Sequence, residues 1–228
     1  MPRRLPPGFH LPRTGLWRTI DCVVIAPLYR KAPALGLKDI RLVIMDVDGV
    51  LTDGTLSLSD DGVETKHFNV RDWTGIAFLE RVGIRTAVVS GRASKAVEMR
   101  ARETGVTEVH LGAKDKLPVV RELMQRLGLG PEEVAFIGDD VLDIPAARGV
   151  GFPVAVADAH EELKACCGLV TKSPGGKGAV RELAELILVA QDKWGVVMKR
   201  YLGTESPGKP EPSPRPMPPP EVPSRKRE

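Results

Sequence analysis

Short apolar runs recur along the middle of the chain, separated by segments with helical periodicity. Each run is continuous rather than alternating, which is typical of strands buried on both faces of a parallel sheet. Alternation of such strands with helices predicts a doubly wound, Rossmann-like α/β domain. The predicted strands are Leu42–Met45, Thr86–Val89, Val109–Leu111, Val134–Ile137 and Val154–Val156.

The predicted helices occupy the intervals between these strands, and three of them end shortly before a glycine, a common helix terminator. They are Thr74–Arg81, Ser94–Thr104, Lys116–Leu127 and Ala179–Lys193. A β-hairpin flap is predicted at Leu56–Leu58 and Thr65–Phe68, because the Asp-Gly pair between them is a turn signal. The remaining intervals are short, so no separate cap domain is expected.

The pattern weakens at both ends of the 228-residue chain, which predicts a folded domain at residues 39–202. Residues 1–38 are expected to form a poorly specified extension with one short helix near Leu28–Leu35. Their apolar run is too short for a signal peptide or a membrane span. Residues 203–228 are rich in proline, which predicts a disordered, solvated tail rather than a scaffold for partner proteins.

Composition narrows the class of protein further. The chain has 33 basic and 30 acidic residues, a net charge of +3, and much of the excess lies in the termini, so nucleic acid is not an expected partner. Its three cysteines form no C-x-x-C pair, which argues against a zinc site or a disulfide framework. A reducing cytoplasm is the expected location.

Polar residues follow three of the predicted strands. Asp46 and Asp48 come after the first strand, Ser90 after the second, and Asp139 and Asp140 after the fourth. In open α/β sheets, ligands bind outside the carboxyl ends of the strands. If these strands are neighbours, the four carboxylates meet and repel one another unless a cation is bound, and oxygen-only ligation suits Mg²⁺. Near the end of the third strand, Lys116 is a candidate to neutralise a phosphate.

These residues, taken together and in this order, resemble the four motifs of the haloacid dehalogenase superfamily of phosphohydrolases. The first motif, D-x-D-G, matches Asp46–Gly49, and the second, a strand-end Ser or Thr, matches Ser90. The third, a lysine, matches Lys116. The fourth matches Gly138–Asp140, with Asp143 following.

A finer resemblance covers residues 39–202. The segments DVDGVLTDG, HFNVRD, VSGR, GDDVLDIP, AVADAH and GGKGAVRE are similar to those of the 3-deoxy-D-manno-octulosonate 8-phosphate phosphatases of lipopolysaccharide biosynthesis. Nonulosonate 9-phosphate phosphatases, and phosphatase-like domains that serve as regulatory or oligomerising modules of sugar-nucleotide enzymes, are alternatives. The leading resemblance implies a capless, Mg²⁺-dependent enzyme for a phosphorylated 2-keto-3-deoxy sugar acid. It also implies a homotetramer whose neighbours shield each other's sites.

The resemblance also implies roles for the motif residues. Asp46 is the expected nucleophile, and Asp48 the expected general acid and base. Mg²⁺ is expected to bind the carboxylates of Asp46 and Asp139 and the main-chain carbonyl of Asp48. Ser90 and Lys116 are expected to hold the phosphoryl oxygens. Asp140 and Asp143 are expected to orient Lys116 or metal-bound waters.

Substrate recognition is predicted from the remaining cations near the motifs. Arg92 is the main candidate for a substrate carboxylate, because guanidinium binds carboxylates in bidentate fashion. Arg71 is a second candidate, and an ion pair with Asp72 or with a neighbouring subunit is the equal alternative. Trp73 stands where the resembling family usually has glycine, so it is expected to fill space near the substrate or to change a backbone angle. Asp158 is expected to cap a helix, because it begins a D-x-x-E pattern.

Overall fold

The computed structural model describes residues 36–106 and 108–203. Nearly all of the predicted extension at residues 1–38 and of the predicted tail at residues 203–228 lies outside the described residues. In the part that is described, no helix has the length and apolar character needed to cross a membrane.

The strands confirm the predicted α/β class. A parallel sheet has the order β5-β4-β1-β6-β7-β8, and β2 and β3 pair as a separate antiparallel hairpin. All four residues of β1 are buried, because helices cover both faces of the sheet. The strands are β1 (Leu42–Met45), β2 (Ser57–Leu58), β3 (Glu64–Thr65), β4 (Arg85–Ser90), β5 (Glu108–Leu111), β6 (Val134–Gly138), β7 (Phe152–Ala155) and β8 (Leu169–Val170).

The helices lie between the strands and after them. The described α-helices are α1 (Val70–Arg81), α2 (Lys95–Thr104), α3 (Lys116–Leu127), α4 (Ile144–Ala147), α5 (Glu161–Lys164), α6 (Ala179–Ala190) and α7 (Trp194–Lys199). Short 3₁₀ turns occur at Leu37–Asp39, Pro131–Glu133 and Val141–Asp143.

The sheet register brings the predicted strand ends together. Met45, the last residue of β1, pairs with Val88 of β4 on one side and with Ile137 of β6 on the other. The amide of Asp46 continues this pairing by donating to the Ile137 carbonyl at 3.1 Å. The three polar strand ends therefore lie at the same edge of the sheet, as expected.

This edge carries no cap domain within residues 46–139, all but one of which the structure describes. Between β1 and β4 the chain forms only the β2–β3 hairpin and α1, and between β5 and β6 it forms only α3 and a 3₁₀ turn. The carboxyl edge of the sheet is therefore left open.

Several predicted boundaries were wrong for local reasons. Helix α1 begins four residues before the predicted start, because the Asn69 side chain accepts a hydrogen bond from the Arg71 amide and caps it there. Helix α6 ends three residues early, because Asp192 adopts a left-handed φ of 55° and separates it from α7. Strand β8 was missed because two residues are too few to show a period.

Candidate active site

A tight turn after β1 positions the first pair of carboxylates. The Val47 carbonyl accepts hydrogen bonds from three successive amides, those of residues 50 to 52, at 2.9–3.2 Å. The Thr52 hydroxyl donates to the same carbonyl at 3.3 Å. This wrapping of the chain around Val47 holds Asp46 and Asp48 at the open edge of the sheet.

Gly49 permits the approach of the fourth motif to this turn. Its φ of 89° is left-handed, and a Cβ at this position would overlap the Asp139 carboxylate. The glycine of the D-x-D-G motif is therefore needed for two reasons, the backbone angle and the space for Asp139.

Three carboxylates form the centre of the site. Oxygen atoms of Asp46, Asp139 and Asp143 lie within 4.8 Å of one another. Burial, followed by the Asp46 and Asp143 charges, raises the pKa of Asp139 to about 8. Burial and Asp143 likewise raise the pKa of Asp46 to about 6, although Lys116 opposes the shift. Mutual repulsion among oxygen ligands is relieved by a hard divalent cation, so these residues fit Mg²⁺.

Lys116 connects the nucleophile candidate to the fourth motif. It is the first residue of α3 and is 6% exposed, and its Nζ lies 2.8 Å from Asp46 Oδ2 and 2.5 Å from Asp143 Oδ1. Burial disfavours the ammonium, but the charges of Asp46 and Asp143 outweigh it and raise the pKa of Lys116. Lys116 therefore remains a cation beside the nucleophile candidate.

Asp140 and Asp143, both predicted to orient Lys116 or metal-bound waters, have different surroundings. Asp143 is buried, and its second oxygen accepts a hydrogen bond from the Asp139 amide at 3.0 Å, so it holds both Lys116 and the Asp139 main chain. Asp140 is exposed and accepts from the Val141 amide at 2.7 Å, which caps the following 3₁₀ turn.

An open cavity of about 470 Å³ lies over this cluster. It joins the predicted catalytic residues to Arg92 and to two side chains that the sequence did not single out, Lys114 and Leu142. Arg71 is not one of the described residues that line it; it is exposed in the first turn of α1. The lining residues are Asp46, Asp48, Ser90, Gly91, Arg92, Lys114, Lys116, Asp139, Asp140, Leu142 and Asp143.

Two charged side chains that sequence reasoning missed lie next to Asp48, outside the residues that line the cavity. Lys66, whose side chain is 2% exposed, contacts Asp48 Oδ1 through its Nζ, which also lies 3.3 Å from Glu64 Oε1. Glu64 Oε2 in turn accepts from Arg92 Nη2 at 2.7 Å. No local pattern distinguishes Lys66 or Glu64 from other hairpin residues, so only the tertiary structure identifies them.

The loop at residues 173–178 presses on the turn that carries the nucleophile candidate. A Cβ at Gly175 would overlap the Gly49 carbonyl oxygen, and the Gly176 amide donates to the Val50 carbonyl at 2.8 Å. Buried Asp72 accepts from the amides of Gly178 and Arg181, at 3.1 and 2.9 Å, which fixes the end of the loop at the start of α6.

Asp158 anchors this loop, and its predicted role as a helix cap was wrong. Its Oδ1 accepts a hydrogen bond from the Gly175 amide at 2.9 Å. The cap of α5 is His160, whose Nδ1 accepts from the Glu162 amide at 3.2 Å. The D-x-x-E spacing was misleading because the chain turns into α5 two residues after Asp158.

Trp73 lies in the core beneath the flap. It is 1% exposed, its ring meets Phe68 edge-to-face at 5.4 Å, and the Arg100 guanidinium lies 5.5 Å from its centre. It is not one of the described residues that line the cavity. The bulky ring therefore fills space between α1, α2 and the flap, not space within the cavity.

Comparison with known proteins agrees with this geometry. Residues 72–151 match the family model of haloacid dehalogenase-like hydrolases. The chain is 48% identical, over 155 residues, to the 3-deoxy-D-manno-octulosonate 8-phosphate phosphatase of Yersinia pestis, covering 68% of this chain and 83% of the relative.

Solved structures lead to the same family. The crystal structure of the Yersinia pestis phosphatase superposes with a TM-score of 0.71 at 45% identity, covering 72% of this chain and 89% of the other. The Moraxella catarrhalis phosphatase, solved with magnesium ion, phosphate ion and a KDO molecule, superposes with a TM-score of 0.72 at 39% identity, covering 74% and 97%.

The fold and site thus define a capless hydrolase of the haloacid dehalogenase superfamily. Within that superfamily, the chain belongs to the 3-deoxy-D-manno-octulosonate 8-phosphate phosphatase family.

Proposed function

We propose that the protein is a Mg²⁺-dependent phosphatase that hydrolyses a phosphorylated 2-keto-3-deoxy sugar acid, 3-deoxy-D-manno-octulosonate 8-phosphate, through an aspartyl-phosphate. The observation that carries the proposal is the position of Asp46. Its carboxylate lies between the Lys116 ammonium and a carboxylate cluster, at the base of an open cavity. Such a site combines a nucleophile with the cations that a phosphate requires.

In the first step, an Asp46 oxygen attacks phosphorus and forms a P–O bond while the bond to the sugar oxygen breaks. Asp48 gives its proton to the departing sugar oxygen. Its position supports this role, because Asp48 lines the cavity but is not one of the three clustered carboxylates.

In the second step, water attacks the phosphorus of the aspartyl-phosphate. Asp48, now a carboxylate, takes a proton from that water, so inorganic phosphate leaves and Asp46 is regenerated. The phosphoryl oxygens are held by the Lys116 ammonium and the Ser90 hydroxyl, both of which line the cavity.

Mg²⁺ would be held by the carboxylates of Asp46 and Asp139 and by the main-chain carbonyl of Asp48. When bound, it supplies positive charge that cancels repulsion between the nucleophile and the phosphate. Asp143 keeps Lys116 and the Asp139 main chain in position through its two oxygens, and Asp140 shapes the adjoining turn.

The choice of a sugar acid as substrate rests on Arg92 and on the similarity of the chain to 3-deoxy-D-manno-octulosonate 8-phosphate phosphatases. Arg92 lines the cavity, and its guanidinium suits a carboxylate. Arg71 is the weaker candidate for binding the substrate carboxylate, because it is not among the described residues that line the cavity. Two alternative functions involve the same site residues. One is hydrolysis of a nonulosonate 9-phosphate, and the other is a regulatory module without turnover.

Assembly as a homotetramer is part of the proposal. Leu56, Leu58 and Val63 of the hairpin region are 44%, 61% and 57% exposed, which suits a surface covered by a neighbouring copy. A cytoplasmic location remains a prediction from the cysteine pattern.

The test is kcat/KM for 3-deoxy-D-manno-octulosonate 8-phosphate, a nonulosonate 9-phosphate and p-nitrophenyl phosphate, with Mg²⁺. The wild type should prefer the first substrate. Arg92→Ala should reduce its preference over p-nitrophenyl phosphate by about tenfold, the low end for a charge-assisted hydrogen bond at a half-exposed site. Arg85→Ala, an exposed arginine at the start of the strand that precedes Arg92, is the matched control. Absence of turnover on every phosphate would leave the regulatory module as the better reading.

A further inference from the structure

Four charged side chains form a closed, alternating arrangement beside the cavity. Asp48 contacts Lys66, Lys66 lies 3.3 Å from Glu64 Oε1, and Glu64 Oε2 accepts from Arg92 Nη2 at 2.7 Å. The arrangement closes where Arg92 Nε lies 3.9 Å from Asp48 Oδ2. Asp48 belongs to the D-x-D-G motif and Arg92 follows Ser90 by two residues, whereas Glu64 and Lys66 come from the hairpin and the segment that follows it.

Glu64 is the member that joins the two cations. It lies in β3, and each of its oxygens faces a different cation. Oε1 is buried and has no hydrogen-bond partner among the described residues, so Lys66 at ion-pair distance balances its charge. The Arg92 hydrogen bond, with a smaller contribution from Lys66, lowers the pKa of Glu64, which keeps it an anion at neutral pH.

Without Glu64, Asp48 would be the remaining acidic partner of both cations among the described residues, and Lys66 already contacts it. Arg92 has a long side chain that is 49% exposed, and the second anion within ion-pair distance of it is Asp48. Lys66 would keep Asp48 as its one acidic partner among the described residues. Both changes would draw positive charge onto the proposed acid and base and away from the ligand side of the cavity.

We propose that Glu64 is a positioning residue for substrate selection. It holds Arg92 against the cavity wall so that the free edge of the Arg92 guanidinium meets the substrate carboxylate. This inference rests on the proposed function of Arg92. Among the described residues, side-chain hydrogen bonds to Arg92 involve Nη2, which leaves Nη1 for a ligand. Glu64 also ties the hairpin to the catalytic centre, so the flap and the selectivity residue are positioned by one contact.

The geometry sets a clear alternative. If Glu64 instead competes with the substrate carboxylate for Arg92, its removal should tighten substrate binding. A positioning role predicts weaker binding. The sign of the change in KM therefore separates the two roles.

The experiment is a double-mutant cycle of Glu64→Gln and Arg92→Ala, with Asp60→Asn as the matched control. Asp60 is an exposed hairpin carboxylate away from this arrangement. Glu64→Gln keeps the size of the side chain and removes its charge. It should lower the preference for the sugar-acid phosphate over p-nitrophenyl phosphate by about tenfold, mainly through KM. In the Arg92→Ala background the same change should alter the preference by less than about twofold.

An equal effect of Glu64→Gln in both backgrounds would overturn the inference, as would a lower KM. An equal loss on both substrates would overturn it as well, because that is the pattern of a merely structural residue. If the wild type instead prefers a carboxylate-bearing phosphate other than 3-deoxy-D-manno-octulosonate 8-phosphate, the proposed substrate is refuted. The coupling between Glu64 and Arg92 is then measured from KM on the phosphate that the wild type prefers. Hydrogen exchange of amides 57–65 should rise in Glu64→Gln but not in Asp60→Asn.

Discussion

Lys116 Nζ lies 2.8 Å from Asp46 Oδ2, so a buried ammonium holds the proposed nucleophile directly. The contact lowers the pKa of Asp46, yet burial and Asp143 still leave that pKa at about 6. At neutral pH the carboxylates of the metal-free site therefore repel one another. This repulsion lowers the stability of the fold and contributes to function.

The substitution Asp46→Asn tests this balance. It removes the nucleophile and one negative charge while keeping the volume. We expect turnover to fall by roughly 10⁴-fold or more, and the melting temperature in EDTA at pH 7.5 to be equal or higher. Asp53→Asn, an exposed carboxylate in the following turn, is the control. Near wild-type turnover of purified Asp46→Asn would show that another group is the nucleophile.

Metal affinity should depend on pH through Asp139. Its pKa rises from an ordinary value of 3.8 to about 8, so protonated Asp139 stabilises the metal-free fold at low pH, and that stability is lost as pH rises between these values. Mg²⁺ requires the ionised carboxylate, so its apparent affinity should increase from pH 6 through pH 8 and level off only at higher pH, where Asp139 is fully ionised. Calorimetry at several pH values measures this, and chelation should abolish turnover. An affinity independent of pH in this range would contradict the shift.

Asp139→Asn is the control for that prediction. It removes the group with the highest pKa of the three carboxylates, and Asp46, with a pKa of about 6, remains. The pH dependence of any residual Mg²⁺ binding should therefore move to lower pH.

The loop at residues 173–178 should be essential for activity through its close packing. Gly175→Ala places a methyl group against the Gly49 carbonyl, so the turn that carries Asp46 and Asp48 must shift. A 1 Å displacement of catalytic groups costs about 10²-fold in rate. Gly168→Ala is the matched control, because no atom lies within 4 Å of its added Cβ. Equal kcat values for the two variants would show that this contact does not position the site.

Trp73 should stabilise the fold without setting selectivity. Trp73→Ala removes a buried ring, and such substitutions cost about 3–5 kcal/mol of unfolding free energy. Val70→Ala, an exposed change in the same helix, should cost less than about 0.5 kcal/mol. Denaturant unfolding gives both values. If Trp73→Ala stays folded but changes the ratio of kcat/KM between sugar-acid phosphate and p-nitrophenyl phosphate by more than tenfold, the ring influences the substrate after all.

Much of the fold could be predicted from the sequence because its signals are local. Continuous apolar strands, helix-ending glycines and the Asp-Gly turn each act within a few residues, and together they indicate a capless α/β domain with a hairpin. The boundaries that failed depended on single contacts, such as the Asn69 cap and the left-handed Asp192.

The central site was also predictable from sequence, since Asp46, Asp48, Ser90, Lys116 and Asp139 follow strands or begin a helix. Parallel strands have their carboxyl ends at one edge, so strand order alone brings these residues together. Charge type and topology are sufficient for that inference, and no side-chain geometry is required.

The tertiary structure alone decided the surroundings of that centre. Glu64 and Lys66 reach Asp48 and Arg92 only because the hairpin folds back over the sheet edge. Asp72 meets Gly178 across 106 residues of chain, and Asp158 meets Gly175 across 17. Such contacts carry no local period or spacing, because they depend on the path of loops between elements. The sequence therefore determined which groups are candidates for the chemistry, whereas packing of the hairpin and the 173–178 loop decided how those groups are held.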